Sequence, residues 1–311
     1  MKINLKKSFY PSLCYHGLKK LGFTSENPED KYLEKSKRLS KMGEDFSFSA
    51  PVAGGPLFTF IYQIPGYLEP EDPGEFQGIM NDVKRVIKNK DISLLTKSWP
   101  DKTKYWGRWY TECLHNYMFK GLRGNEETVN EIIGEFTEFI IDIWDGYEKI
   151  YDGKFQNYPF EELQINVDNL EVEKIWKNDF DWEYSYDRFE LIICPESRTA
   201  ASSLGPEKVV FSSKYPWEAM KNSIIHEVGV RFFDFQKLCQ DERTHDYMYE
   251  DYVGMLRLIE TEICYRKKRI MPNIKEDPFA TGMKLEKLIE WRGRRDFGED
   301  IIQTMNDFYE K

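Results

Sequence analysis

Between Pro216 and Phe235 the apolar residues Ile224, Ile225, Val228, Phe232 and Phe235 return at helical spacing, and a His226-Glu227 pair is set among them. No other stretch restricts the possible folds as much. Pro216 suits the first turn of such a helix, where a missing N–H costs nothing. Two short apolar runs come before it. Phe189-Glu190-Leu191-Ile192-Ile193-Cys194 stops at Pro195, and Val209-Val210-Phe211 is entered from Leu204-Gly205-Pro206, so both predict strands. A second helix is predicted over about 251–268, with Val253, Leu256, Ile259 and Ile263 inward.

The first half reads differently. Residues 1 to about 50 are polar and lean basic, with one helical stretch around Asp30 to Lys41. Leu57-Phe58-Thr59-Phe60-Ile61-Tyr62, bounded by Gly and Pro, predicts a short strand or a buried extended segment. Residues 75–92 and 103–121 carry helical periodicity. The clearest amphipathic helix runs from Glu126 to Tyr151, where Val129, Ile132, Ile133, Phe136, Phe139, Ile140, Ile143 and Trp144 form one apolar face for core packing. Leu163-Gln164-Ile165-Asn166-Val167 alternates like a strand. The expected fold is therefore α+β, with a mainly helical region over 1–155 and an α+β region over 156–311.

Bulk properties exclude several function classes. With 41% hydrophobic and 15% aromatic residues in 311, the chain can build a sizeable core. A net charge of -10 gives no general electrostatic reason to bind nucleic acid or an anionic membrane. The five cysteines, Cys14, Cys113, Cys194, Cys239 and Cys264, include no CxxC pair, so a disulfide scaffold is not expected. No signal-peptide pattern and no membrane-length apolar run is present, and a cytoplasmic protein is expected. Ser202-Ser203 lacks a GxSxG elbow, and Gly54-Gly55 is too short for a phosphate loop. The aromatic run Tyr105-Trp106-Gly107-Arg108-Trp109-Tyr110 suits core or interface packing. Arg292, Arg294 and Arg295, with Lys284 and Lys287, form a basic patch; a solvated helix face explains it, and a substrate carboxylate would suit it too.

The His-Glu pair carries the most chemistry. Zinc hydrolases place two imidazoles one helical turn apart, so that both reach one ion, and the Glu after the first removes a proton from bound water. Here the fourth residue after His226 is Val230, which cannot ligate, and the fifth is Arg231. A guanidinium offers donors only and cannot replace an imidazole on zinc. Glu227 and Arg231 also stand in the favourable i,i+4 order for a helix ion pair, worth ~0.2–0.5 kcal/mol.

The stretch from Thr199 to Gly205, then Val209-Val210-Phe211, then His226-Glu227-Val228-Gly229-Val230-Arg231, resembles the microtubule-associated tyrosine carboxypeptidase family and its bacterial relatives. That family has an expanded His-Glu-x-x-x-His helix and a Gln-Glu-Gly-Leu-Ala motif on the next one. Its members are zinc peptidases of zincin-like fold, some removing a C-terminal tyrosine. The resemblance covers roughly residues 185–270 and implies His226 as first zinc ligand, Glu227 as general base, Arg231 in place of the second His, and Glu260 in Leu258-Ile259-Glu260-Thr261-Glu262 as third ligand, with Glu262 its neighbour. His245, Asp246 and Glu250, between the two helices, are further candidate ligands. A basic residue such as Arg231 would hold a substrate carboxylate or an oxyanion. The resemblance thus implies a metal-dependent, carboxypeptidase-like hydrolase with an incomplete motif, acting on a peptide or protein C-terminus. The alternative is an inactive pseudo-metallopeptidase that binds a peptide or protein. A third reading is an unrelated α+β binding protein.

Overall fold

The sheet begins at the N-terminus. In this computed structural model, which describes residues 1–23, 27–42, 56–107, 124–180, 186–197, 201–232 and 252–272 with scattered positions between 111 and 122, β1 spans Lys2–Lys7. It pairs in parallel with β2 (Arg188–Cys194), which pairs in parallel with β4 (Lys208–Ser212); the two-residue β3 (Ser202–Ser203) lies antiparallel at the far edge, giving the order β1-β2-β4-β3. The register sets Ile3 beside Phe189 and Leu191 beside Val209. Alternation in Lys2-Ile3-Asn4-Leu5-Lys6 is the period-2 signal that a strand leaves, here short and flanked by lysines.

Successive strand residues point to opposite faces, and both faces are buried. Phe189, Leu191, Ile193, Val209 and Phe211 join one apolar cluster with Trp176, Ile224, Val228, Ile259 and Ile263. Ile192, Cys194 and Val210 join another with Tyr10, Leu13, Phe136 and Trp144. The first cluster is covered by α8 (Phe160–Asp168), α9 (Val172–Phe180), α10 (Trp217–Phe232) and α11 (Tyr252–Ile270). The second is built on α1 (Phe9–Lys20), α2 (Leu33–Met42), the short α3 (Pro56–Phe58) and α4 (Ile64–Leu68), α5 (Pro73–Asn89), α6 (Ser93–Ser98) and α7 (Glu126–Tyr151). The fold mixes helix and sheet, as α+β folds do, and the sheet draws strands from both sides of residue 155.

All eight apolar residues expected on one face of 126–151 are buried in α7. Two expected strands are helical. Residues 56–68 form α3, a π-helical turn at Thr59–Gln63 and α4. A short run buried on every side carries no period that separates helix from strand. Residues 163–167 belong to α8, where Leu163 and Val167 are buried one turn apart and Ile165 is 61% exposed. Gln164 on this helix accepts from Leu5 N at 2.8 Å and donates to Ile3 O at 2.8 Å. It thereby pairs the backbone of edge strand β1 and blocks addition of another strand there.

Helical layer and sheet also meet through charge. Lys208 Nζ donates to Tyr67 O at 2.9 Å and to Glu69 Oε1 at 2.5 Å, and lies 3.6 Å from Glu190. Lys6 bonds Glu69 at 2.8 Å and Glu190 at 2.9 Å. No described helix is long and apolar enough to cross a membrane. Cys14, Cys194 and Cys264 are buried and form no disulfide among the described residues.

Candidate functional site

Helix α10 starts directly after Pro216, whose carbonyl accepts from Ala219 N and Met220 N at 3.0 Å. From Ser223 to Val230 every residue is buried, so the helix is enclosed on all sides and not on the one face expected. Val230, 1% exposed, is core. Trp176 of α9 fixes the helix from one side. Its indole Nε1 donates to Ile225 O at 2.8 Å, and its ring lies flush on Gly229. A Cβ on Gly229 would stand 2.5–2.6 Å from indole carbons, which explains a glycine in the middle of a buried helix. Gly229→Ala is therefore expected to lower the unfolding free energy by about 1–3 kcal/mol, measured by chemical denaturation. A neutral or stabilising result would mean that the indole moves aside freely.

His226 is fully buried between two residues of α11. Its Nε2 lies 2.5 Å from Glu260 Oε2, and its Nδ1 lies 3.9 Å from Cys264 Sγ. A carboxylate only accepts, so Nε2 carries the proton and Nδ1 faces the thiol. Glu260 and Cys264 are one turn apart, which sets them on opposite edges of one imidazole. The side chain of Glu260 is 30% exposed and forms the outer rim.

Glu227 is buried beside this pair. Burial pushes its carboxyl above the usual carboxylate range; Arg231 and His226 pull it back, Glu260 adds to the rise and Lys267 opposes it. A carboxyl raised in this way holds a proton more readily than an ordinary one. Arg231, one turn on, lies 3.8 Å from Glu227 Oε2 and donates through Nη2 to Ser203 Oγ at 2.5 Å. Its Nε is buried and meets no acceptor among the described residues. Ser203 is itself held from the other side by Gln63, whose Nε2 donates to Ser203 O at 3.3 Å.

The structure brings together His226, Glu227, Arg231 and Glu260. It directs Glu262 elsewhere: Glu262 Oε1 accepts from Arg266 Nε at 2.8 Å, and Arg266 continues to Asp179 Oδ2 at 2.8 Å. Two residues along a helix turn about 200°, so Glu260 and Glu262 cannot share one site. His245, Asp246, Glu250 and the basic patch at 284–295 lie outside the described residues. Trp176, Cys264 and Lys267 are site neighbours that no motif reveals. Gly229 carried the one sequence signal of a close approach, without naming its partner.

Among the described residues the donor set falls short of a zinc site. Two ligands converge, His226 and Glu260, but the next position on the face is a guanidinium, which cannot ligate. Among the described residues no group of three His, Cys, Asp or Glu is placed to hold an ion. Comparison with protein-family models, curated proteins and solved structures finds no match for this chain.

Proposed function

We propose that this chain is a zincin-like protein, related to the tyrosine carboxypeptidase family, that binds a peptide or protein C-terminus without a metal and without cleaving it. The observation that carries this reading is the placement of Arg231. The guanidinium stands where the second imidazole of an expanded His-Glu helix would be, engaged by Ser203 and Glu227, with its Nε donor unused among the described residues. Guanidinium groups are the preferred partners of carboxylates because two parallel donors match two oxygens. The order of strand, strand, His-Glu helix and Glu-bearing helix supports the zincin-like fold, as does the contact of His226 with Glu260.

A second reading, a zinc-dependent carboxypeptidase-like hydrolase, draws support from the same contact, since two expected ligands meet with Glu227 beside them. It needs a third ligand such as His245. Metal content and peptide binding separate the two. Purified full-length protein is expected to contain no stoichiometric zinc and to bind peptides with a free C-terminal carboxylate more tightly than their amidated forms. Arg231→Ala should abolish that preference, and EDTA should leave it intact. About one zinc per chain, lost in His226→Ala, together with release of a C-terminal residue, would establish the hydrolase instead.

A further inference from the structure

We infer that Arg231 and Lys267 together supply the positive charge that a divalent ion would otherwise bring, so that the site resists taking one up. This rests on the metal-free reading above and adds a residue to which no motif points. Glu260, Cys264 and Lys267 are spaced by four and three residues in α11, which places them in one stripe about 60° wide. Cys264 and Glu260 show where the stripe points, since both touch the imidazole of His226. Lys267 is the next position along it and is 1% exposed. Its positive charge acts on the Glu227 carboxyl, in the sense that lowers it. Arg231 lies on the other helix at 3.8 Å from the same carboxylate, with its side chain 8% exposed.

Buried charges persist only when matched. Among the described residues, the charged groups acting on Glu227 are Arg231, Glu260 and Lys267, beside His226. Arg231 and Lys267 are two positive side chains that already act on the Glu227 carboxyl. An ion held by His226 and Glu260 would add two positive charges to a site that already has two, in surroundings where repulsion is far stronger than in water. The absent second histidine is then only part of the barrier. Restoring it leaves Lys267 in place.

The test titrates zinc ion alone, in competition with a chromogenic chelator, into full-length wild type, Arg231→His, R231H/K267M and R231H/K267R. Zinc binding should be undetectable in wild type and weak in R231H. R231H/K267M should bind at least about tenfold tighter than R231H, and R231H/K267R no tighter than R231H. Equal affinity in R231H and R231H/K267M would remove Lys267 from the inference. Tight binding in R231H/K267R as well would show that bulk, not charge, was the obstacle, and would overturn it. Stoichiometric zinc in wild type, lost in His226→Ala, is a different failure: it would remove the metal-free reading itself. If thermal unfolding shows that K267M does not fold, R231H/K267Q carries the same comparison.

Discussion

Trp176→Ala should lower the unfolding free energy by about 3–5 kcal/mol, the range for removing a large aromatic side chain from a packed core. Trp176 is 0% exposed and is among the largest fully buried side chains. It belongs to the cluster that joins β2 and β4 to α10 and α11, so the cavity would open under the helix that carries His226, Glu227 and Arg231. The indole also donates to Ile225 O. Trp176→Phe keeps most of the packing and loses that bond, and should cost about 1–2 kcal/mol less than the alanine change. Chemical denaturation followed by circular dichroism gives both numbers. A loss under about 1 kcal/mol for Trp176→Ala would mean that α9 is not a support of the site helix. Because Gly229 packs on the same ring, Trp176→Ala should also make Gly229→Ala far less harmful.

Lys208→Ala should cost about 3 kcal/mol at neutral pH, because Glu69, Glu190 and Glu207 lose the most buried of the cations that balance them, with only Lys6 and Arg188 left. The figure is placed at the low end because the Glu69 side chain is 26% exposed. The pH dependence follows from the carboxylates. Burial by itself raises the Glu69 carboxyl, but Lys208 and Lys6 outweigh it and hold it below the ordinary carboxylate value. A depressed folded value stabilises the native state above the ordinary value, and that gain disappears as pH falls through the depressed one. Glu207 acts in the opposite sense: burial raises its carboxyl despite Lys208 and Tyr67, so protonation relieves a cost as the pH falls. The penalty of Lys208→Ala should therefore be greatest at neutral pH and shrink in acid. Paired urea titrations of wild type and variant at neutral and acidic pH measure this. An equal penalty at both would mean that Lys208 contributes through contacts that do not titrate in this range, such as its ammonium over the Tyr67 ring, and not by balancing the carboxylates.

Several elements could be read from residue order because their burial is one-sided or their ends are marked. The face of α7 is legible from Val129 to Trp144, since one stripe meets the core while Glu and Asp line the other side. The strands β2 and β4 announce themselves as apolar runs closed by Pro and Gly. Residues 57–62 look like a strand or extended segment because burial on every side erases the helical period. Residues 163–167 look like a strand because apolar residues two apart over five positions satisfy a helix at i and i+4 equally well. Strand β1 carries no clear signal in the sequence, because its polar residues outnumber Ile3 and Leu5.

The sequence by itself determined the chemistry available on the site helix: an imidazole, a following carboxylate and a guanidinium at fixed spacing, so that this helix offers zinc no second nitrogen ligand. That follows from functional groups and helical geometry, both local. Only the tertiary structure decided that Glu260 rather than Glu262 meets His226, that Arg231 turns to Ser203, that Lys267 lies buried on the stripe of Glu260, and that Gly229 exists to admit Trp176. Those choices depend on how α9, α10 and α11 rotate against each other and the sheet. Helix rotation is set by side-chain packing summed over distant segments, and no stretch of contiguous sequence contains it.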